Sequence, residues 1–488
     1  MNVKTLIENS FVLNDLSTAS FLEEAVSAIS TDTREVSPGT LFVCIKGVNF
    51  DSHDKVAEII ASGAVAVVVE RRPENLDLPY ILVQNTQKAL AQISNAFYQT
   101  PSEQLKIVGV TGTNGKTTTT HLIHSIVEAC EQKAGMIGTM YNQIHDQKIP
   151  TANTTPDSLT LQRLFTEMNE ADVSVCAMEV SSHGLQIGRT WGVDFDVAVF
   201  TNLTQDHLDF HPTMDDYFLA KSLLFSKLGN TYHAEKPKTA IINCDDPYGE
   251  KLVGLTTANV LTYGCHGKGE IQAKNIEITP TGTQFTLQLF EQDYLVQTAL
   301  IGDFNVYNIL AAVASCYVLG FEMDAILAAI AEVKGVKGRF EVIPSKAGVT
   351  AIVDYAHTPD ALENVLQTVK KFVKGKIICV VGCGGDRDSK KRPLMANIAM
   401  DNADLSVFTS DNPRTEDPEQ ILHDMTDHLT GDRFEVEIDR YTAIHRALDL
   451  ANEHDVVVVA GKGHEDYQII GREKFHFDDG EVLMEYVK

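Results

Sequence analysis

Basic residues are scarce in this chain. Its 488 residues include 40 lysines and arginines against 67 aspartates and glutamates, a formal net charge of -27. Phosphate backbones need a basic face, so no general nucleic-acid binder is expected. Small anionic ligands need only local donors and stay possible. Long apolar runs are missing as well, and none approaches the roughly 20 residues that span a bilayer. The opening MNVKTLIENSFVLND has no basic stretch followed by an apolar one, so no secretory leader is expected. Paired cysteine motifs are absent too. The nearest pair, Cys379 and Cys383, is spaced CxxxC, which is neither a zinc ribbon nor a redox CxxC. Free thiols in a reducing cytoplasm are the expectation. There is no internal repeat and no low-complexity tract.

What is present fits a globular α/β protein. Hydrophobic content of 44% and charged content of 22% are ordinary for a soluble chain. The length is too great for one core, so two to four domains are expected. Residues 1 to 100 hold the strand-like runs TLFVCIKG (40–47) and AVAVVVE (64–70), and YQTPSEQ (98–104) reads as a linker. From Lys106 buried strands alternate with helices: KIVGV, VSVCAMEV (173–180), DVAVFTN (196–202) and TAIIN (239–243). That alternation implies a parallel sheet. Near KGVKGRFE (334–341) the pattern changes again. TAIVDYAH, KIICVVGCGG, ADLSVFTSDNP and DVVVVAGKG each run from an apolar strand into a polar or glycine-rich loop. Ligands of open α/β sheets bind at the carboxyl ends of strands, so these are four candidate ligand loops.

VTGTNGKTTTT (110–120) joins a strand to a helix. It departs from GxxxxGK[ST], because Val110 takes the first glycine position. The mechanics survive. Gly112 and Gly115 let backbone N–H groups of the loop through Thr113, Asn114 and Thr118 approach phosphate oxygens. Lys116 reaches the terminal phosphates, and Thr117 is a candidate Mg²⁺ ligand at a helix N-terminus. Glu179 ends the next strand, where a carboxylate commonly serves the metal. His207, in TNLTQDHLDFH (201–211), sits on the same rim, as either an ordinary loop histidine or a metal ligand. MDDYFLAKSLLFSKLG (214–229) is predicted to be a helix capped at Asp215 or Asp216. On it Lys221 has Tyr217, Leu224 and Phe225 at helical spacing, so it lies on an apolar face. It either snorkels to water or reacts with CO₂ to give a carboxylate-like carbamate. In DNPRTEDP (411–418) a lone arginine, Arg414, stands among three acids and behind Pro413. It either neutralises its neighbours or awaits an anion brought by a substrate.

Taken together, TGTNGKTTTT, NTTPD (153–157), EVSSHGLQIGR (179–189), NLTQDHLDFH (202–211), AKSLLFS (220–226), GDFNVYNILAA (302–312), GRFE (338–341), DYAHTPDAL (354–362) and DNPR resemble the Mur ligases of peptidoglycan synthesis. The likeness runs across essentially the whole chain. Folylpolyglutamate synthetase shares the phosphate loop but not DNPR. The resemblance implies an α/β chain of three domains: an N-terminal UDP-binding domain over 1–100, a central P-loop domain with a parallel sheet over 101–336, and a C-terminal Rossmann-like domain over 337–488. It implies a monomeric cytoplasmic ligase that uses ATP and Mg²⁺. The implied reaction extends UDP-N-acetylmuramoyl-L-alanyl-D-glutamate with meso-diaminopimelate through an acyl phosphate. A lysine-adding relative and a P-loop ATPase switch are the alternatives.

The resemblance also implies roles for residues. Lys116, Thr117, Glu179, His207 and Lys221, the last as its carbamate, would serve phosphates and metal. Asn305, Asn308, Arg339 and Asp354 would hold the nucleotide. Asn153, Thr154, Thr155, Ser181 and Arg189 would hold the muramoyl-dipeptide, with Thr33 and the loop after Lys46 for UDP. Ile187 stands where some relatives have glutamine. Arg387, Asp411, Asn412, Pro413, Arg414, Gly461 and Glu465 would hold the amino acid. Arginine's fork matches a carboxylate, and diaminopimelate carries one at its distal end where lysine has none.

Overall fold

Runs such as AVAVVV and VVVVA are β-branched at nearly every position, which suits parallel strands covered on both faces. The computed structural model describes residues 1–10, 14–16, 20–47, 50–230, 236–343, 345 and 348–486. Within these, the chain forms two compact units. One comprises Met1–Gly109, Gln132–Ala198 and Ser226–Lys238; the other comprises Val110–Glu131, Val199–Phe225 and Thr239–Lys488.

In the first unit a five-stranded sheet runs in the order Asn14–Leu16, Tyr80–Val83, Ala64–Val69, Thr40–Val43, Ala28–Ser30. All neighbours are parallel except the Asn14–Leu16 edge. One face buries Leu41, Val43, Ala66 and Val68 under the helices Val3–Ser10 and Thr86–Phe97. The other buries Phe42, Val67 and Val69 with Val56 and Ile59 of the helix Val56–Ala61. The same unit pairs Val175–Glu179 with Ala134–Ile137 in parallel, next to a short hairpin, Asn142–Ile144 and Gln147–Ile149.

In the second unit the helix Lys116–Ala129 follows the phosphate loop. The strands Thr239–Asn243 and Asn259–Gly264 pair in parallel. Three long antiparallel strands then follow: Ile271–Thr279, Gly282–Leu289 and Gln292–Thr298. The unit's second sheet has the order Glu341–Ile343, Thr350–Asp354, Val456–Ala460, Ile377–Val381, Leu405–Phe408, Phe434–Val436. Its four central strands are parallel, so Asp354, Val381, Phe408 and Ala460 end on one edge. Both faces are packed, by helices such as Pro359–Lys370 and Lys391–Asn402 on one side and Arg440–Leu450 on the other.

The helix expected over 214–229 spans Met214–Lys227, and its cap is corrected. Thr213, not Asp215 or Asp216, caps it: Thr213 Oγ1 accepts from the Asp216 N–H at 3.1 Å and donates to the Asp216 carboxylate at 2.7 Å. The threonine hydroxyl thus takes one of the free N–H groups of the first turn, with Asp216 in the third helical position. All eight cysteines are free. Among the described residues no helix is long and apolar enough to cross a membrane.

Candidate functional site

The phosphate loop leaves the strand Lys106–Thr111 and turns into the helix Lys116–Ala129. Two glycines are required by space. A Cβ on Gly112 would collide with Thr201 Oγ1, and one on Gly115, at φ +87°, with Asn308 Oδ1. Asn202 and Thr201 lace the loop: the Asn114 N–H donates to Asn202 Oδ1 at 2.9 Å, and Thr201 Oγ1 donates to the Asn114 carbonyl at 2.6 Å. Lys116 Nζ folds back onto the carbonyls of Gly112 and Thr113 at 3.0 and 2.8 Å. Thr118 is buried in the first helical turn.

The residues expected to hold a nucleotide gather around this loop. Arg339 Nη2 donates to Thr117 Oγ1 at 3.0 Å, and its guanidinium stacks over Tyr355 at 4.5 Å. Asn308 Nδ2 donates to Asn305 Oδ1 at 3.1 Å. Asp354 Oδ2 accepts from the Phe340 N–H at 2.6 Å, and burial pushes the carboxyl up to about 6 against the pull of Arg339. Asp360 went unread in the sequence, yet it accepts from Asn114 Nδ2 at 2.8 Å and so ties the loop to the helix Pro359–Lys370.

Lys221 is 2% exposed. Its Nζ donates to the Gly112 carbonyl at 2.8 Å and lies 4.5 Å over the Tyr217 ring, so it does not snorkel. Burial, then the Lys116 charge, hold its pKa well below the ordinary lysine value, against the pull of Asp206. His207 has a left-handed backbone, φ +55°, and its Nε2 lies 3.3 Å from Asp206 Oδ2. Burial alone would raise Asp206, but His207, His357 and Lys391 hold it at about 2. His357 is pushed down to about 4 by burial and Lys391. Asp206, His357 and Lys391 form a charged cluster beside Lys221 whose membership depends on contacts between residues some 150 positions apart in the chain.

Glu179 lies in the first unit, where it is 1% exposed. Its two oxygens accept from the backbone N–H and hydroxyl of Thr139, at 2.9 and 3.0 Å. The same hydroxyl is 3.1 Å from Thr154 Oγ1. Thr155 Oγ1 donates to the Glu179 carbonyl at 3.0 Å and accepts from the Ser181 N–H at 2.9 Å. Arg189 Nη1 donates to the Thr155 carbonyl at 2.8 Å. The structure therefore brings Thr154, Thr155, Ser181 and Arg189 around Glu179, with Asn153 exposed at the start of the same segment. Thr33 follows the strand Ala28–Ser30, and Lys46 follows its parallel neighbour Thr40–Val43, so both leave the same sheet edge. Residues 48 and 49 of the loop after Lys46 lie outside the described residues. His53, unread in the sequence, is fixed below that loop: its Nε2 accepts from the Glu70 N–H at 3.0 Å, which leaves Nδ1 to donate to Asp51 at 2.6 Å.

The amino-acid candidates share the rim of the C-terminal sheet. A Cβ on Gly384 would stand 2.8 Å from Arg414 Nη1 and 3.9 Å from Arg387 Cγ, so the two arginines flank one glycine. Gly461, at φ +113°, faces Asp411 Oδ2 in the same way. Asn412 Nδ2 donates to Glu465 Oε2 at 2.7 Å. The acids around Arg414 are each used elsewhere. Asp411 accepts from the Asn412 N–H, Glu416 pairs with Arg392 at 2.8 Å, and Asp417 caps the helix Pro418–Thr426. Arg414 instead donates through Nη1 to the carbonyls of Gly385 and Asn412, at 2.8 and 3.5 Å. Among the described residues its guanidinium makes no ion pair, although, with the Thr415 hydrogen bonds, its charge helps to hold the Asp386 carboxyl below the usual range.

The chain matches the descriptions "Mur ligase family, catalytic domain" over residues 25–98, "Mur ligase middle domain" over 110–316 and "Mur ligase, glutamate ligase domain" over 338–463. It is 50% identical over 474 residues to the UDP-N-acetylmuramoyl-L-alanyl-D-glutamate–2,6-diaminopimelate ligase of Lactiplantibacillus plantarum, covering 97% of this chain and 96% of that one. A solved structure of a ligase with that same name superposes with a TM-score of 0.71 at 32% identity, over 100% of this chain and 99% of that one. A MurF ligase from Thermotoga maritima in complex with ADP shares the fold, with a TM-score of 0.64 at 21% identity over 95% and 97% of the two chains.

Proposed function

Because this chain belongs to the Mur ligase family, we propose that it is an ATP-dependent ligase that adds meso-diaminopimelate to UDP-N-acetylmuramoyl-L-alanyl-D-glutamate. Amide formation from a carboxylate in water is uphill, so the glutamyl γ-carboxylate must first be activated. In this reading it attacks the γ-phosphorus of ATP, ADP leaves, and an acyl phosphate remains. The amine of diaminopimelate then attacks the acyl carbon, the C–N bond forms and inorganic phosphate departs with the C–O bond pair.

The chain's own residues mainly position and neutralise. Lys116 exchanges its loop carbonyls for phosphate oxygens. Asn305, Asn308, Arg339 and Asp354 hold the nucleotide beside the loop. Mg²⁺, when bound, neutralises phosphate charge. In the second unit Thr117, the carbamate of Lys221 and His207 would be candidates to hold it, and in the first unit Glu179. Thr33 with the loop after Lys46, and Asn153, Thr154, Thr155, Ser181 and Arg189, take the UDP and peptide ends of the acceptor. Residues 1–100, 101–336 and 337–488 divide these tasks as UDP, ATP and amino-acid domains. A monomer acting in the cytoplasm, with its eight thiols free, completes the proposal.

The observation that carries the choice of amino acid is Arg414, a half-buried guanidinium on the rim that forms no ion pair among the described residues. A lysine substrate would bring a second cation to that spot, whereas diaminopimelate brings the missing carboxylate, with Glu465 taking the ammonium beside it. ADP release in the presence of UDP-muramoyl-dipeptide tests this directly. It should require an added amino acid and prefer meso-diaminopimelate over lysine. Preference for lysine would identify the lysine-adding reaction, and ADP release indifferent to both co-substrates would identify a bare ATPase.

A further inference from the structure

Lys462 is fully buried beneath the amino-acid rim, and the reaction proposed above gives it no task. It follows Gly461 at the carboxyl end of the strand Val456–Ala460. Lysine has three donors and no acceptor. Here the ammonium donates to three oxygens: Asn412 Oδ1 at 3.4 Å from the DNPR turn, and Glu465 Oε2 at 3.2 Å and the Tyr467 carbonyl from its own stretch of chain. Asn412 closes the network. Its Nδ2 donates to Glu465 Oε2 at 2.7 Å, and its Oδ1 accepts from the Ile469 N–H at 2.8 Å. The Ile469 carbonyl in turn accepts from the Arg414 N–H at 3.0 Å. One buried ammonium therefore ties the DNPR turn, the GKGHE loop and the hairpin of Tyr467–Ile470 and Glu473–His476 into one network.

The electrostatics give the network a direction. Glu465 faces the carboxylate of Asp411, the ammonium of Lys462, the guanidinium of Arg440 and the phenols of Tyr355 and Tyr467. Burial, then Asp411, push its carboxyl up; Lys462 and Asn412 pull it back. A buried charge left without its partner is strongly unfavourable, so removing the ammonium favours a protonated Glu465.

We infer that Lys462 is a positioning residue for the amino-acid substrate, fixing Glu465 and Asn412, and through the hairpin the turn that carries Arg414, in the geometry that receives the substrate's distal end. This rests on the proposed function. It differs from a plain stabilising role, which would weaken all substrates alike.

The test compares the full-length wild type with Lys462→Met, which keeps the apolar stem and drops the charge. KM for diaminopimelate and for ATP is measured between pH 6.5 and 9, with thermal unfolding alongside. The variant's diaminopimelate KM should rise about 10-fold or more at pH 8. It should climb further as pH falls, because Glu465 then takes up a proton, while the ATP KM stays within about twofold. If the lone carboxylate prevents folding, Lys462→Met with Glu465→Gln removes both charges. That double variant should fold and show a raised diaminopimelate KM that is flat with pH. A wild-type diaminopimelate KM in either variant, or ATP and diaminopimelate KM values rising in parallel, overturns the inference. A wild type that releases no ADP in response to diaminopimelate takes down the proposed function as well, whereas an active wild type with an indifferent variant takes down only the role of Lys462.

Discussion

Arg414 has φ +53°, a left-handed backbone that a non-glycine residue adopts at a cost of about 1–3 kcal/mol. Bonds on both sides hold it there: its N–H donates to the Ile469 carbonyl at 3.0 Å, and its carbonyl accepts from the Gly471 N–H at 2.7 Å. The strain aims an unpaired guanidinium at the rim, so binding and folding separate in a pair of variants. Arg414→Ala should raise the diaminopimelate KM about 30-fold, from the loss of a charge pair worth on the order of 2–5 kcal/mol, with the ATP KM nearly unchanged. Arg414→Gly should raise it equally yet leave the melting temperature unchanged or higher, since glycine adopts this φ without strain. An unchanged diaminopimelate KM in both would refute the clamp. At the phosphate loop, Lys116→Ala should cut turnover by about 1,000-fold or more while thermal unfolding moves little, because the lysine folds back onto two loop carbonyls rather than into a core. Near-normal turnover in that folded variant would remove Lys116 from the chemistry.

The helix Met214–Lys227 shows how one element carries both stability and chemistry. Thr213→Ala removes its cap and should cost about 1 kcal/mol, read as a drop of a few degrees in melting temperature. On the same helix Lys221 is buried, and burial shifts it toward the neutral amine that reacts with CO₂. Native mass spectrometry should find the added carboxyl mass, and CO₂-depleted enzyme should lose activity that bicarbonate restores; an unmodified lysine in fully active protein would exclude the carbamate. The elements around this helix were legible where one residue type dominates. TAIIN is the strand Thr239–Asn243, and each of the four C-terminal runs contains its strand, because β-branched residues buried on both faces leave no helical alternative. The antiparallel strands of 271–298 escaped notice, since IQAKNIEIT mixes charge with apolar residues on strands that are half exposed. The threonine cap escaped because Asp215 and Asp216 look like better caps than the threonine before them. At the site, loop residues were legible from their motifs. Asp206, His357, Lys391 and Lys462 gained meaning only from burial and from partners distant in sequence. Lys462 reads as an ordinary surface lysine between two glycines until Asn412 and Glu465 are seen to surround it.

Across the whole molecule the buried titratable groups of the second unit set its response to acid. His357 is held down at about 4 by burial and Lys391, and His464 at about 3 by burial and Arg339. In the unfolded chain both titrate near 6.5, at the ordinary histidine value. Below that pH the unfolded state binds protons that the folded state refuses, so stability falls as pH drops from about 6.5 toward 4. Asp354 acts in the opposite sense. Burial raises its carboxyl to about 6, so below that pH the folded state holds a proton that the unfolded chain lacks, and stability is regained. Asp206, held at about 2, contributes nothing to this window, because its share is lost only below the unfolded carboxylate value near 4. At pH 5 each histidine costs about 2 kcal/mol and Asp354 returns about 1, while Asp246, Asp360 and Glu465, also raised by burial, act in the same sense as Asp354 and trim the loss further. Thermal unfolding should therefore begin a few degrees lower at pH 5 than at pH 7.5. His464→Asn, which removes one of the two groups, should shrink that gap by half or more, because the remaining histidine is then nearly balanced by the raised carboxyls. A variant that keeps the full wild-type gap would show that His464 titrates normally, and the acid response would have to come from the exposed carboxylates instead.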